Sequence, residues 1–281
     1  MQRHMKFEEE EMLLNTRDLV GYRLTAIDGA IGIIDDLLID DRDWTIRWIT
    51  VDTGNWLHSR KVLLPPQSFG EPDHLGREIP IDLDRKRVEQ SPTVARDHSV
   101  SRQVEADIYA FYDYPPYWSQ GSAKPIAGVV GNMPLASIGT RAFDNAQAQQ
   151  AVPAAPSEAL ITDTIGHGQD YPHLRSTNEM MGYYIEAKDG SIGHVEDILI
   201  EGHGWETRYL LIDTRSWWPG RKVLISPKWA SSVSWSDRKV YLDMTREHVR
   251  TSPEYDPRKP IDHSYEERLH AHYGYEPHWL P

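Results

Sequence analysis

GYRLTAIDGAIGIIDDLLID, Gly21–Asp40, decides the fold. Asp28-Gly29 separates two runs rich in β-branched and aromatic residues, Tyr22–Ile27 and Ile31–Asp40, the signature of a β-hairpin. Displaced by 161 positions, the stretch falls on GYYIEAKDGSIGHVEDILIE, Gly182–Glu201, with its own Asp189-Gly190 turn. The overlap runs on. WTIRWITVDTGNWLHSRKVLLPP (Trp44–Pro66) meets WETRYLLIDTRSWWPGRKVLISP (Trp205–Pro227), and from 21 to 67 20 of 47 positions are identical without a gap. Asp82, Arg85, Val88, Ser91 and Pro92 match Asp243, Arg246, Val249, Ser252 and Pro253, and YDYPPYW (Tyr112–Trp118) meets YGYEPHW (Tyr273–Trp279).

The chain is therefore written twice, in units too long to be solenoid repeats. The first spans 15–118, with a core at about 20–92, and the second 176–279, with a core at about 181–253. Between them, 119–175 reads as a flexible linker. Its 119–160 portion is rich in Ala, Gln, Gly and Pro and carries only Lys124, Arg141, Asp144 and Glu158 as charges. Within a unit, the hairpin leads through a turn at Asp41–Asp43 (Gly202–Gly204 in the second) to a strand over Thr45–Thr53. That strand is apolar on both faces and so is expected to be central. Strands at Arg60–Leu64 and Glu78–Leu83 and a helical turn at Asp84–Gln90 follow. Short strands with regular turns predict a mainly β fold, a small barrel or sandwich. Ser264-Tyr-Glu-Glu267 reads as a capping box opening a helix to about Tyr273, with Ser101–Tyr112 as its counterpart. The aromatic ends, Tyr112, Tyr114, Tyr117 and Trp118 and then Tyr273, Tyr275 and Trp279, are expected to pack back on the strands, with an exposed contact site as the alternative.

Composition narrows the functions. A net charge of −13 argues against broad nucleic-acid binding and docking on anionic membranes. The absence of Cys removes disulfides, thiolate nucleophiles and Cys-bound zinc. Met1–Phe7 and the four Glu behind it lack the apolar core of a signal peptide, and no run is long enough to span a bilayer. A soluble, cytoplasmic protein is expected.

Ile49-Thr-Val-Asp-Thr-Gly54 has the form that an aspartic protease shows at each catalytic carboxylate. A dyad of Asp52 and Asp213 would need the two carboxylates to share a proton. The second copy reads Ile212-Asp-Thr-Arg215, so a cation replaces the glycine, and neither copy has a convincing downstream apolar-apolar-Gly segment. A hydrolase is the least favoured reading. What repeats is Asp52-Thr53-x-x-Trp56-x-x-x-Arg60-Lys61-Val62-Leu63 and Asp213-Thr214-x-x-Trp217-x-x-x-Arg221-Lys222-Val223-Leu224.

Together with DGxIGxxxDxLI upstream and the proline that follows, this ordered set, present twice, resembles the PRC-barrel family. That family includes the cytoplasmic domain of the photosynthetic reaction-centre H subunit and the C-terminal domain of the ribosome maturation factor RimM. SRQVEADIYAFYDYPPYW (Ser101–Trp118) looks like the C-terminal extension of bacterial stand-alone members. The resemblance implies two small β-barrels in tandem, with Asp-Thr-Gly at the end of a barrel strand and without a catalytic role. It also implies docking on a protein, by analogy a membrane-complex or ribosomal component. The membrane helix of the H subunit and the extra domain of RimM have no counterpart here.

Arg60-Lys61 and Arg221-Lys222 are read first as partners of Asp52, Asp213 or nearby carboxylates. With Trp56 and Trp217 they are the candidate partner-binding residues, since Arg and Trp are enriched at interface hot spots. His270-x-His272, with His263, His248 and His278 nearby, is a weak metal candidate, because helical residues two apart point about 200° away from each other. No phosphate loop or nucleophile elbow is present. The expectation is a non-enzymatic scaffold without cofactor. Its repeats dock on a partner, pair with each other as a pseudo-dimer or form a homodimer; a small-molecule or metal sensor is the alternative.

Overall fold

The structure is a computed structural model that describes residues 13–57, 60–92, 100–119, 173–214 and 221–277, with Asn55 and Trp56 described in their backbone only. The first half begins with a short strand β1 (Leu13–Asn15) and a helical turn α1 (Thr16–Leu19). Then come β2 (Arg23–Ala26), β3 (Gly29–Asp40), β4 (Ile46–Asp52), β5 (Lys61–Leu64), β6 (Glu78–Pro80), α2 (Arg85–Glu89) and α3 (Arg102–Tyr112). The second half repeats the order: β7 (Leu174–Ser176), α4 (Thr177–Met180), β8 (Tyr184–Ala187), β9 (Gly190–Glu201), β10 (Thr207–Asp213) and β11 (Lys222–Ile225). It ends in β12 (Ala230–Ser234), β13 (Lys239–Leu242), α5 (Arg246–Arg250) and α6 (His263–Tyr273). The Asp-Gly turns close the β2–β3 and β8–β9 hairpins. Their carboxylates also accept the amides of Arg85 (2.8 Å) and Arg246 (2.7 Å), so each turn fastens the start of a helix.

The first sheet runs β5-β4-β3-β2-β6 and the second β11-β10-β9-β8-β13-β12. All pairs on these paths are antiparallel except β2–β6 and β8–β13. β4 is central, as its two apolar faces predict. The ladders do not close, which corrects the expectation of hydrogen-bonded barrels. In the first half the segment corresponding to β12 carries Gly70 and Pro72 and makes only isolated bridges, Phe69 to Ile81 and Asp73 to Glu78. A proline has no N–H to give a ladder.

Each half lends its first strand to the other. β1 pairs with β9, Leu14 opposite Ile200, and β7 pairs with β3, Arg175 opposite Ile39. A second seam joins the turns after β3 and β9. The Ile46 amide donates to the Trp205 carbonyl and the Thr207 amide to the Trp44 carbonyl, both at 2.8 Å. These tryptophans are left-handed, with φ of 61° and 58°. That conformation costs a non-glycine residue roughly 1–2 kcal/mol, and the two crossed hydrogen bonds offset it. The described residues up to Tyr114 and from 173 onward form one compact unit. Within the separate unit 115–171, a 3₁₀ turn over Tyr117–Ser119 sets the Tyr117 and Trp118 rings edge to face at 4.9 Å.

Each sheet is closed off by its own terminal helix. Fully buried Trp48 donates its Nε1–H to Glu105 on α3 at 2.9 Å, and the equivalent Tyr209 hydroxyl meets Glu266 on α6 at 2.8 Å. Tyr112 and Tyr273 are buried, and Tyr275 stacks on Trp229 with centroids 5.2 Å apart. Trp279 lies outside the described residues. The α6 cap is Asp262, whose carboxylate accepts the Tyr265 amide at 2.7 Å; Ser264 donates to Asp262 instead of capping. A carboxylate in this place also complements the positive end of the helix dipole.

Candidate functional site

The repeated motifs converge on a β-bulge in the long strand of each half. Ile34 pairs with Val51 and Asp36 with Thr50, leaving Asp35 without a partner across the ladder. In the second half Val195 and Asp197 pair with Ile212 and Leu211, leaving Glu196 out. A bulge re-aims side chains, and here it splits two adjacent acids. Asp35 reaches the Lys61 ammonium at 2.5 Å and Glu196 that of Lys222 at 2.6 Å. Asp36 and Asp197 turn to the arm lent by the opposite half. Asp36 accepts from the hydroxyls of Ser176 (2.5 Å) and Thr177 (3.0 Å) and the amide of Asn178 (3.2 Å). Asp197 accepts from the Thr16 hydroxyl and the Arg17 amide, both at 3.2 Å. Sequence reasoning passed over Asp35 and Glu196; their signal was the acidic pair at the same place in both copies.

The lysines thus pair across the sheet with bulge carboxylates, not with Asp52 or Asp213. Asp52 folds back to accept the Gly54 amide at 2.8 Å, and Asp213 is buried, its Oδ2 3.9 Å from His194 Nε2. The two aspartates end central strands of different sheets. The threonines of the motif clamp the loop base: Thr53 Oγ1 donates to the Arg60 carbonyl and Thr214 Oγ1 to that of Arg221, both at 2.6 Å. Arg60 donates to the carbonyls of Glu89 (2.9 Å) and Ser91, and Arg221 to that of Ser252. These carbonyls lie at the ends of α2 and α5, where a cation complements the helix dipole. Arg60 and Lys61, and Arg221 and Lys222, are therefore brought together as stays of one loop base per half. The Trp56 backbone lies in a 3₁₀ turn over Gly54–Leu57, and Trp217 falls outside the described residues.

Burial is the largest influence on Asp36 and Asp197 and raises both above the ordinary carboxylate value, against the hydrogen bonds that lower it. A folded-state pKa raised above the unfolded one contributes stability below the unfolded value, about 3.9, which is lost as pH rises through the folded value. In Asp36→Asn, Oδ1 continues to accept from Thr177, Asn178 and Leu37, and the amide donates to a reversed Ser176 hydroxyl. The variant is expected to gain stability relative to the unaltered protein as pH rises from 4 toward 7. Urea unfolding along a pH series checks this; a relative loss with rising pH would contradict it.

Where the halves meet lies a cavity of about 590 Å3, walled by Phe69 and Tyr109 from the first half and Trp205 from the second. The Phe69 and Trp205 rings meet edge to face at 5.8 Å. Neither residue was marked by sequence, because the cavity exists only once the halves are joined.

Residues 13–88 match the PRC-barrel domain family. The PRC-barrel span opens on the exchanged strand β1, contains the bulge, the loop base and Lys61, and ends in α2. The second half repeats the sequence of the first at a displacement of 161 positions. No curated protein matches the chain. Among the described residues no helix is long and apolar enough to cross a membrane, and no group of three metal-binding side chains comes together. His272 donates to the His248 carbonyl at 2.8 Å and His270 Nδ1 to that of Glu276 at 3.0 Å; His278 lies outside the described residues.

Proposed function

We propose that the chain is a non-catalytic, protein-binding PRC-barrel scaffold whose two halves act as one rigid platform. It docks a protein through the loops between β4 and β5 and between β10 and β11, with Trp56 and Trp217 as anchors. Arg60, Lys61, Arg221 and Lys222 hold the loop bases in place. The observation that carries the reading is the clamp itself. The same threonine, arginine and lysine bonds fix the two ends of each loop, and fixed ends lower the ordering cost of binding. Two loops on one body also favour a bivalent partner. Assembly roles at a membrane complex or the ribosome rest on family analogy, a weaker support.

The test is capture by the full chain from lysate of its native host, beside a Trp56→Ala/Trp217→Ala variant with unchanged thermal unfolding. A stoichiometric protein retained by the former and lost by the latter is the expected result. Equal retention by both would overturn the assignment of the loops. Cleavage of denatured substrate at acid pH, abolished by Asp52→Asn, would overturn the non-catalytic reading.

A further inference from the structure

The cavity between the halves breaks the internal symmetry in a consistent direction. Its outer wall is Gly202-His203-Gly204-Trp205, whereas the corresponding turn of the first half is Asp41-Arg42-Asp43-Trp44. Two carboxylate side chains present in one turn are absent from the other. The pseudo-equivalent depression is smaller, about 490 Å3. It is lined by Trp44 and by charged Arg42, Asp43, Glu206 and Lys228, and Ala230 stands where the larger cavity has Phe69. The larger cavity thus carries fewer charges and has Phe69 and Tyr109 beside the tryptophan common to both.

Its chemistry is specific enough to name a ligand class. Three aromatic side chains from two halves face it, the usual lining of small-molecule sites, which favour interfaces of this kind. Among its described lining residues, which include His74 and His203, Arg47 and Glu71 carry formal charges of opposite sign, and Arg47 is itself paired with Asp43. A charged ligand would meet both signs, so neither an anion nor a cation gains. Gln67 offers both a donor and an acceptor. We propose that this cavity binds a neutral, planar heteroaromatic molecule of one or two fused rings, packed against the aromatic wall of Phe69, Tyr109 and Trp205 with its polar edge toward Arg47 and Gln67. The ligand bridges the halves and so stabilises their junction. This stands apart from the docking role of the Trp56 and Trp217 loops.

The full chain is titrated with adenine, and in parallel with cyclohexanol, and amide correlations are followed by NMR. Adenine is expected to give saturable shifts at residues 45–47, 67–74 and 202–205, with a Kd below about 1 mM, and to raise the unfolding temperature. Cyclohexanol is expected to give none. His203→Trp, at an exposed position on the rim, fills the mouth without touching the core and is expected to weaken adenine binding at least about tenfold. Phe69→Ala is expected to do the same by removing the aromatic wall. Non-saturating shifts, shifts centred elsewhere, equal binding of cyclohexanol, or unchanged affinity in both variants would each overturn the proposal.

Discussion

Replacing Gly32 with alanine is expected to destabilise the protein by at least about 3 kcal/mol, and Gly193→Ala by a similar amount. A Cβ at Gly32 would lie 2.1 Å from the Asp52 carbonyl oxygen, and one at Gly193 2.0 Å from that of Asp213. The obstacle is backbone at the end of a central strand, so no side chain can swing aside. Relief would require parting β3 from β4 beside the bulge and moving the clamped loop with them. For a unit of this size the loss corresponds to a fall of roughly 6–12 °C in Tm. Calorimetry of the two variants checks it; a cost under about 1 kcal/mol would mean that the hairpin and central strand do not approach this closely. The second glycine of DGxIG is thus explained by contact with Asp-Thr, not by turn geometry.

Glu105→Ala is expected to cost about 3–5 kcal/mol, more than Glu266→Ala at the equivalent position. Glu105 is fully buried and takes the Trp48 indole N–H at 2.9 Å and His173 Nε2, on the segment leading into β7, at 2.9 Å. Indole nitrogen can only donate, so alanine leaves it unsatisfied in the core and removes a bond between the halves. In Glu266→Ala the Tyr209 hydroxyl still has His270 Nε2 at 3.0 Å to take its proton, since Nδ1 donates to the Glu276 carbonyl. Denaturant unfolding of both variants measures the difference. Equal costs would contradict this account of Trp48.

Much of the fold was legible because its signals are local. Two Asp-Gly turns, the apolar Thr45–Thr53 run and the register of the repeat place the hairpins and the central strands without reference to anything distant. The exchange of β1 and β7 was not legible, for two physical reasons. Leu13–Asn15 and Leu174–Ser176 are each three residues long and carry no periodicity. Their possible recipients, β3 and β9, are near-copies, so sequence does not say whether an arm docks on its own half or the other. The pairing of Lys61 with Asp35 depends on a bulge, which one extra residue in a ladder creates and composition does not announce. The left-handed Trp44 and Trp205 had no glycine to mark them. At the candidate site, the loop-base residues were found from their repetition, but their role as stays emerged only from distances. The junction cavity left one trace, Gly202-x-Gly204 standing opposite Asp41-x-Asp43.

Cutting the chain between the two halves shows whether the exchanged strands make them fold as one body. A specific protease site placed between residues 120 and 172 and cleaved in the folded protein leaves β1 and β7 on separate polypeptides. Both fragments are expected to co-elute in equal amounts at the mass of the intact protein and to unfold together in one transition. Separation into two species under native conditions, or two independent unfolding transitions, would contradict it.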